Sequence, residues 1–260
     1  MVFGVSTACM YPKNLEQVID QYGEMGIRDT EIFVNTFCEL SPEFIRALEN
    51  KVNQYKMRVH AFHPFTSGME PLMIFQNMNV VLMICWIFIG VILKSCSVLV
   101  PKFLFFTVTI KQAQTTLRFM RSDTISCARP HARMKSILRR KILLVVSREI
   151  FLFLRELSDL LRDDISFVFD LKQALRSGYS PMEVLKVMGK RVVHIHANDH
   201  TIQKDCLLPG RGEFDFRGLF DYLRSIETDP SAMIEVYRGD FAVENELVKS
   251  LKYLYRIYGD

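Results

Sequence analysis

Short β-like runs alternate with helical patterns at both ends of this chain, and that rhythm leaves few architectures open. At the front, Phe3 to Thr7 reads as a strand, and Asn14 then offers a helix cap with Gln17 three positions on. Leu15, Val18, Ile19, Tyr22 and Met25 recur on one face before Gly26 stops the helix. Thr30 to Val34 is a second strand. Ser41-Pro42-Glu43 opens a second helix carrying Phe44, Ile45, Leu48, Val52 and Tyr55, and Arg58 to Phe62 is a third strand. Towards the other end, Ser147 can cap a helix through Leu161, Ile165 to Phe169 is a strand, and Ser180-Pro181-Met182-Glu183 is a capping box ahead of Val184, Leu185, Val187 and Met188. Val192 to His196, Asp215 to Ile226, Ala232 to Val236 and Phe241 to Tyr258 then read as strand, helix, strand and closing helix.

Three such units at each end leave about 70 residues between them, room for two further strands and their helices. Strands that alternate with helices pair in parallel through right-handed crossovers, and eight of them predict an α/β fold closed as a (β/α)8 TIM barrel. The chain of 260 residues suits one such domain over residues 1–260. An open doubly wound sheet is the structural alternative.

The middle breaks the rhythm. From Asn77 through Arg148 the only acidic residue is Asp123 and the only glycine Gly90, against twelve Lys or Arg. That window carries about +11 and the remainder about −7, so the formal +4 belongs to one segment. No stacking aromatics interleave its basic residues, so no nucleic-acid partner is expected. Val80 to Leu93 is uncharged and mostly apolar, but its fourteen residues fall short of the roughly 18 to 20 that span a bilayer, and no membrane partner is expected. Six cysteines without paired spacing predict reduced thiols, and with no targeting peptide recognised the expected location is cytoplasmic.

Working residues of a barrel sit at the carboxyl ends of its strands. Reading those positions selects His63 after the third strand, Asp170 after the sixth, His196 in the seventh and Glu235 in the eighth. Carboxylate oxygens with a single imidazole suit Mn2+, Mg2+ or Co2+, with Zn2+ a further option. Asp170 could instead cap the turn that follows it. Glu235, in an otherwise apolar run, is costly to bury unless paired or metal-bound. His194 is expected to be structural and to face away from His196.

The ordered segments FVFDLKQALRSGYSP, VVHIHANDH, LLPGRGEFDF and MIEVYRG resemble the sugar-phosphate isomerases/epimerases of the xylose isomerase-like barrel superfamily, the AP endonuclease family 2 superfamily. FGVSTACMYP, DTEIFVNTF and RVHAFHPFTSGMEP extend the resemblance to the front, so that it covers about seven-tenths of the chain. It implies a metal held by a Glu of the fifth strand, an acid of the sixth, a His of the seventh and a Glu of the eighth. Asp170, His196 and Glu235 match three of these. It further implies that Glu235 moves a proton beside the carbonyl of a sugar or sugar phosphate through an enediolate. His63, Glu31, Gln173 and Arg211 would line or support the substrate pocket, and a homodimer is an open option. An endonuclease IV-type nuclease shares the scaffold but needs more metal ligands than six histidines readily supply.

The fifth-strand Glu has no counterpart, because no glutamate occurs between Glu70 and Glu149, and Gln173 stands where many epimerases carry His. A catalytically inactive barrel remnant is therefore the main rival reading. The abrupt loss and return of acids and glycines leads us to read residues 77–147 as an atypical, frame-shifted segment. Strands four and five would be corrupted or disordered, the edges of strands three and six unpaired, and the product poorly soluble. Resequencing the gene tests this: a pair of compensating indels or a sequencing fault is expected near the two edges, and a repeatedly confirmed unbroken frame, with a Glu supplied elsewhere, would refute it.

Overall fold

The computed structural model describes residues 1–65, 103–104 and 166–259. Seven strands in this set form one sheet: β1 (Val2–Ser6), β2 (Asp29–Phe33), β3 (Arg58–His63), β4 (Phe103–Leu104), β5 (Phe167–Asp170), β6 (Val192–Ala197) and β7 (Ser231–Ile234). Their order is β4-β3-β2-β1-β7-β6-β5, and every pairing is parallel. Neighbours follow chain order except at one seam, where the first strand pairs with the last. A doubly wound sheet reverses its order at a switch point, whereas an order that steps one way and joins last to first belongs to a barrel.

The helices form where periodicity and caps place them. α1 (Leu15–Glu24) buries Leu15, Val18, Ile19 and Tyr22, and Gly26 leaves it at φ 81°, a conformation that favours glycine. α2 (Pro42–Gln54) starts where Ser41 Oγ accepts from the Phe44 N–H at 3.2 Å. After β5 comes a short helix the sequence reading lacked, α3 (Leu171–Arg176), followed by α4 (Pro181–Met188), where the Glu183 carboxylate accepts from the Ser180 N–H at 3.2 Å. α5 (Phe216–Ser225) is capped by Asp215. The closing helix α6 (Asn245–Gly259) begins four residues later than expected. The reason is local: the N–H groups of Ala242 and Val243 donate to the Glu246 carboxylate at 3.1 Å each, which satisfies them in a turn.

Outside the ring, Phe3 of β1 packs edge-on against Phe220 of α5 and Tyr255 and Tyr258 of α6, with centroids 5.0–5.4 Å apart. Two ladders slip by one residue. Between β2 and β3, Thr30 pairs with Val59 but Glu31 with Ala61, leaving His60 as the extra residue. Between β5 and β6, Phe167 pairs with Val192 but Val168 with His194, leaving Val193 over.

The expected frame-shifted segment and the apolar run Val80 to Leu93 lie outside the described residues, except that Phe103–Leu104 pairs with Ala61 and Phe62. The edge of β3, expected to be bare, is thus covered over that length. Among the described residues no helix is long and apolar enough to cross a membrane.

At the amino-terminal end of β2, Asp29 is buried, with its carboxylate on Arg58 Nε and Nη2 at 2.7 and 2.5 Å and on His60 Nε2 at 2.7 Å. Burial alone would raise its pKa, but His60 and Arg58 outweigh burial and hold it below the ordinary carboxylate value. Stability from this group is therefore fully present above the unfolded value of about 4 and lost as pH falls through the folded one. Asp29→Asn is expected to cost about 1–3 kcal/mol near neutral pH. Thermal denaturation should show the gap between variant and parent closing below about pH 4.

Candidate active site

His196, the second-to-last residue of β6, faces three carboxylates, two from other strands and one from the residue just after β7. Its Nδ1 lies 2.5 Å from Glu235 Oε2 and 3.4 Å from Asp170 Oδ2, and its Nε2 lies 3.2 Å from Glu31 Oε2. Asp170 ends β5, and Glu235 follows β7 directly, its N–H still donating to the Ala197 carbonyl at 3.1 Å. The structure thus brings Asp170, His196 and Glu235 together, with donor atoms all within 4.8 Å of one another. Glu31, His63 and His196 form a second group of the same kind.

Asp170 serves two ends at once. One oxygen accepts from the Gln173 N–H at 3.1 Å and caps α3, while the other turns to His196. Glu31 has no solvent exposure, and its carboxylate collects Ser6 Oγ at 2.9 Å, His194 Nε2 at 3.0 Å and His196 Nε2. His194 does not face away from His196: residues two apart on a strand share a face, and both imidazoles reach the same oxygen. Ser231 Oγ holds the other nitrogen of His194 at 2.7 Å. His63 closes the group, its Nδ1 3.8 Å from Glu31 Oε1, its ring edge-on to Phe33 and stacked beside His196 at 6.0 Å.

The three imidazoles diverge electrically. Burial pulls His63 below its ordinary pKa, Glu31 and Glu235 opposing without prevailing. Burial does the same to His194 against its bond to Glu31. At His196 burial is outweighed by Glu235 and Glu31, which hold the ring protonated well above the usual value. Glu31 is held well below the carboxylate range because His196 and His194 outweigh burial, and Glu235 falls to about 2 as His196 and Lys172 outweigh it there.

Lys172 was missed by the sequence reading. It follows Asp170 by two residues and is buried, with Nζ 4.7 Å from the centre of the Tyr237 ring. A lysine in a short turn looks solvated, and the signal was available only in the apolar neighbours Leu171 and Ala174. Gln173 is half-buried one helical turn beyond Asp170. The Arg211 side chain is 58% exposed, and its Nη2 lies 2.9 Å from the Glu246 carboxylate. The loop that carries it is organised by Asp199, whose buried carboxylate accepts from the N–H groups of His200, Gly210, Gly212 and Phe214 at 2.8–2.9 Å.

The donor set fits a hard or borderline divalent cation: two carboxylate oxygens and one imidazole nitrogen at one mouth. Glu235 Oε2 is buried, and among the described residues its one close polar neighbour is His196 Nδ1 at 2.5 Å, with no hydrogen bond of regular geometry. Such an oxygen is one a cation would satisfy.

No protein-family model and no curated protein matches the chain. Solved structures do match. A D-tagatose 3-epimerase-like protein is 18% identical, with a TM-score of 0.72 over 100% of this chain and 98% of its own. A D-psicose 3-epimerase from Clostridium cellulolyticum H10 is 12% identical, with a TM-score of 0.74 over 100% and 98% of the two chains. A xylose isomerase domain protein from Planctomyces limnophilus is 14% identical, with a TM-score of 0.69 over 98% and 95%. The fold is the TIM barrel that these structures share.

On this barrel the loop after β6 is held by main-chain bonds to one side chain. Asp199→Ala would strand four N–H groups, and a loss of about 2–4 kcal/mol is expected. Thermal melts should show the loss, and limited proteolysis should show new cleavage after Arg211.

Proposed function

We propose that this protein is a metal-dependent isomerase or epimerase of a sugar or sugar phosphate. The observation that carries the reading is the convergence of Asp170 Oδ2, His196 Nδ1 and Glu235 Oε2 at the carboxyl ends of barrel strands. The matched structures support the substrate class, since two are named for epimerases of ketohexoses and one of those contains D-tagatose.

In this reading Asp170, His196 and Glu235 hold the cation, with Mn2+, Mg2+ or Co2+ favoured by the oxygen-rich set. When bound, the metal polarises a sugar carbonyl and the hydroxyl next to it. The chain's own groups do the rest. Glu31 accepts from Nε2 of His196 and so keeps Nδ1 aimed at Asp170 and Glu235. Ser6 and His194 in turn fix Glu31. Glu235 takes the proton from the carbon beside the carbonyl; returned on the same face to the adjacent carbon it gives isomerisation, whereas inversion at the first carbon takes its proton from the opposite face. His63, neutral and next to Glu31, lines the pocket, and Gln173 reaches a substrate hydroxyl from α3.

Titration with Mn2+ tests the seat. The parent should bind saturably, His196→Ala and Glu235→Ala should abolish binding, and Glu31→Gln should weaken it about 10–100-fold by freeing the ring. A folded parent that binds no Mn2+, or binds it unchanged in His196→Ala, would overturn the reading. Incubating ketohexoses and their phosphates in D2O then tests the reaction, with deuterium expected at the carbon next to the carbonyl.

A further inference from the structure

The seam that closes the ring, β1 against β7, runs out just short of the proposed seat. Its last pair is Val5 with Ile234, one residue before Glu235. A longer parallel partner would set one residue opposite Glu235, donating to the carbonyl before it and accepting from the N–H after it. β1 supplies no such residue, because past Ser6 the chain leaves the sheet in a short 3-10 helix, Thr7–Met10. The Cys9 thiol of that turn fills both roles. Its Sγ donates to the Ile234 carbonyl at 3.3 Å and accepts from the Val236 N–H at 3.4 Å.

Cys9, Ile234 and Val236 are all buried, where a carbonyl and an N–H left without partners are costly. On the opposite edge, the Glu235 N–H donates to the Ala197 carbonyl at 3.1 Å. The backbone around Glu235 is thus gripped from both sides, by main chain from β6 and by a side chain from the turn after β1. Extended backbone held in this way sets the direction in which a side chain leaves it. Here that direction brings Glu235 Oε2 to 2.5 Å from His196 Nδ1. The turn is itself anchored: Ser6 Oγ donates to Glu31 at 2.9 Å, Thr7 Oγ1 accepts from the Phe33 N–H at 2.8 Å, and the Tyr22 hydroxyl donates to the Ser6 carbonyl at 2.9 Å. Cys9 therefore ties the backbone of Glu235 to the turn that also holds Glu31.

We propose that Cys9 is a positioning residue for Glu235: its thiol completes the seam where β1 ends and aims the carboxylate at the cation seat. The proposal rests on the assignment of Asp170, His196 and Glu235 as that seat. Hydrogen bonds to sulfur are individually weak. These two flank one residue, and groups that orient a metal ligand govern affinity about 10–100-fold. A serine hydroxyl can donate and accept in the same places, whereas alanine and valine can do neither.

The experiment compares Mn2+ affinity by calorimetry, and Tm without metal, in the parent, Cys9→Ser, Cys9→Ala, Cys9→Val and Val18→Ala, the last a packing control on α1. Cys9→Ala and Cys9→Val should bind Mn2+ about 10–100-fold more weakly, and Cys9→Ser should recover most of that loss. Val18→Ala should melt lower than the parent yet bind Mn2+ as the parent does. Parent-like affinity in folded Cys9→Ala or Cys9→Val overturns the proposal, and so does a Cys9→Ser that binds no better than Cys9→Ala. Equal weakening in Val18→Ala, or failure of both apolar variants to fold even with Mn2+ present, would make the thiol purely structural and overturn it too. A parent that binds no Mn2+, or binds it no better than His196→Ala, fails the seat itself and takes the positioning role with it. A seat that stands while the Cys9 variants bind normally fails the proposal alone, so the two failures are told apart.

Discussion

Side chains alternate along a strand, so one extra residue decides which of them point into the barrel. Two such residues set this site. With His60 over in the ladder, His63 pairs with Phe33 and shares the face of Glu31; a regular ladder would place Phe62 there instead. With Val193 over, Asp170 lies opposite His196; without it, Asp170 would face Ile195. Both slips occur early in their strand pairs, so every position above them is re-phased together.

What these slips gather is a cluster in which each charge is answered by another. Glu31 has no access to water and is sustained by two imidazoles and a serine hydroxyl. His196 is charged because carboxylates face both of its nitrogens, while His63 and His194, equally buried, are held neutral. The same residue type therefore appears in two electrical states within about one ring-stacking distance. The geometry of the carboxylates, rather than the histidines themselves, decides which state each adopts.

Much of the architecture was readable from the chain because its signals are local. Caps at Ser41 and Asp215, the apolar face of α1, and the alternation of strand and helix all act within a few residues. Asp170, His196 and Glu235 were readable for a related reason: each stands at a strand end, where barrels place their chemistry. The slips were not readable, since they depend on which strand lies alongside. The orientation of His194 was open to sequence reasoning and was misread, because a spacing of two keeps a face. Lys172 and Asp199 escaped because burial of a charged side chain depends on Tyr237 and on the loop at Gly210, both distant in sequence.

Asp199 has a consequence for how such a mouth can diversify. It grips the loop after β6 through main-chain N–H groups, which every amino acid except proline possesses. The side chains of Arg211 and Glu213 are not part of that grip. Selection can thus exchange them to suit new molecules at the rim while the loop keeps its path, a separation of scaffold from decoration achieved by one carboxylate.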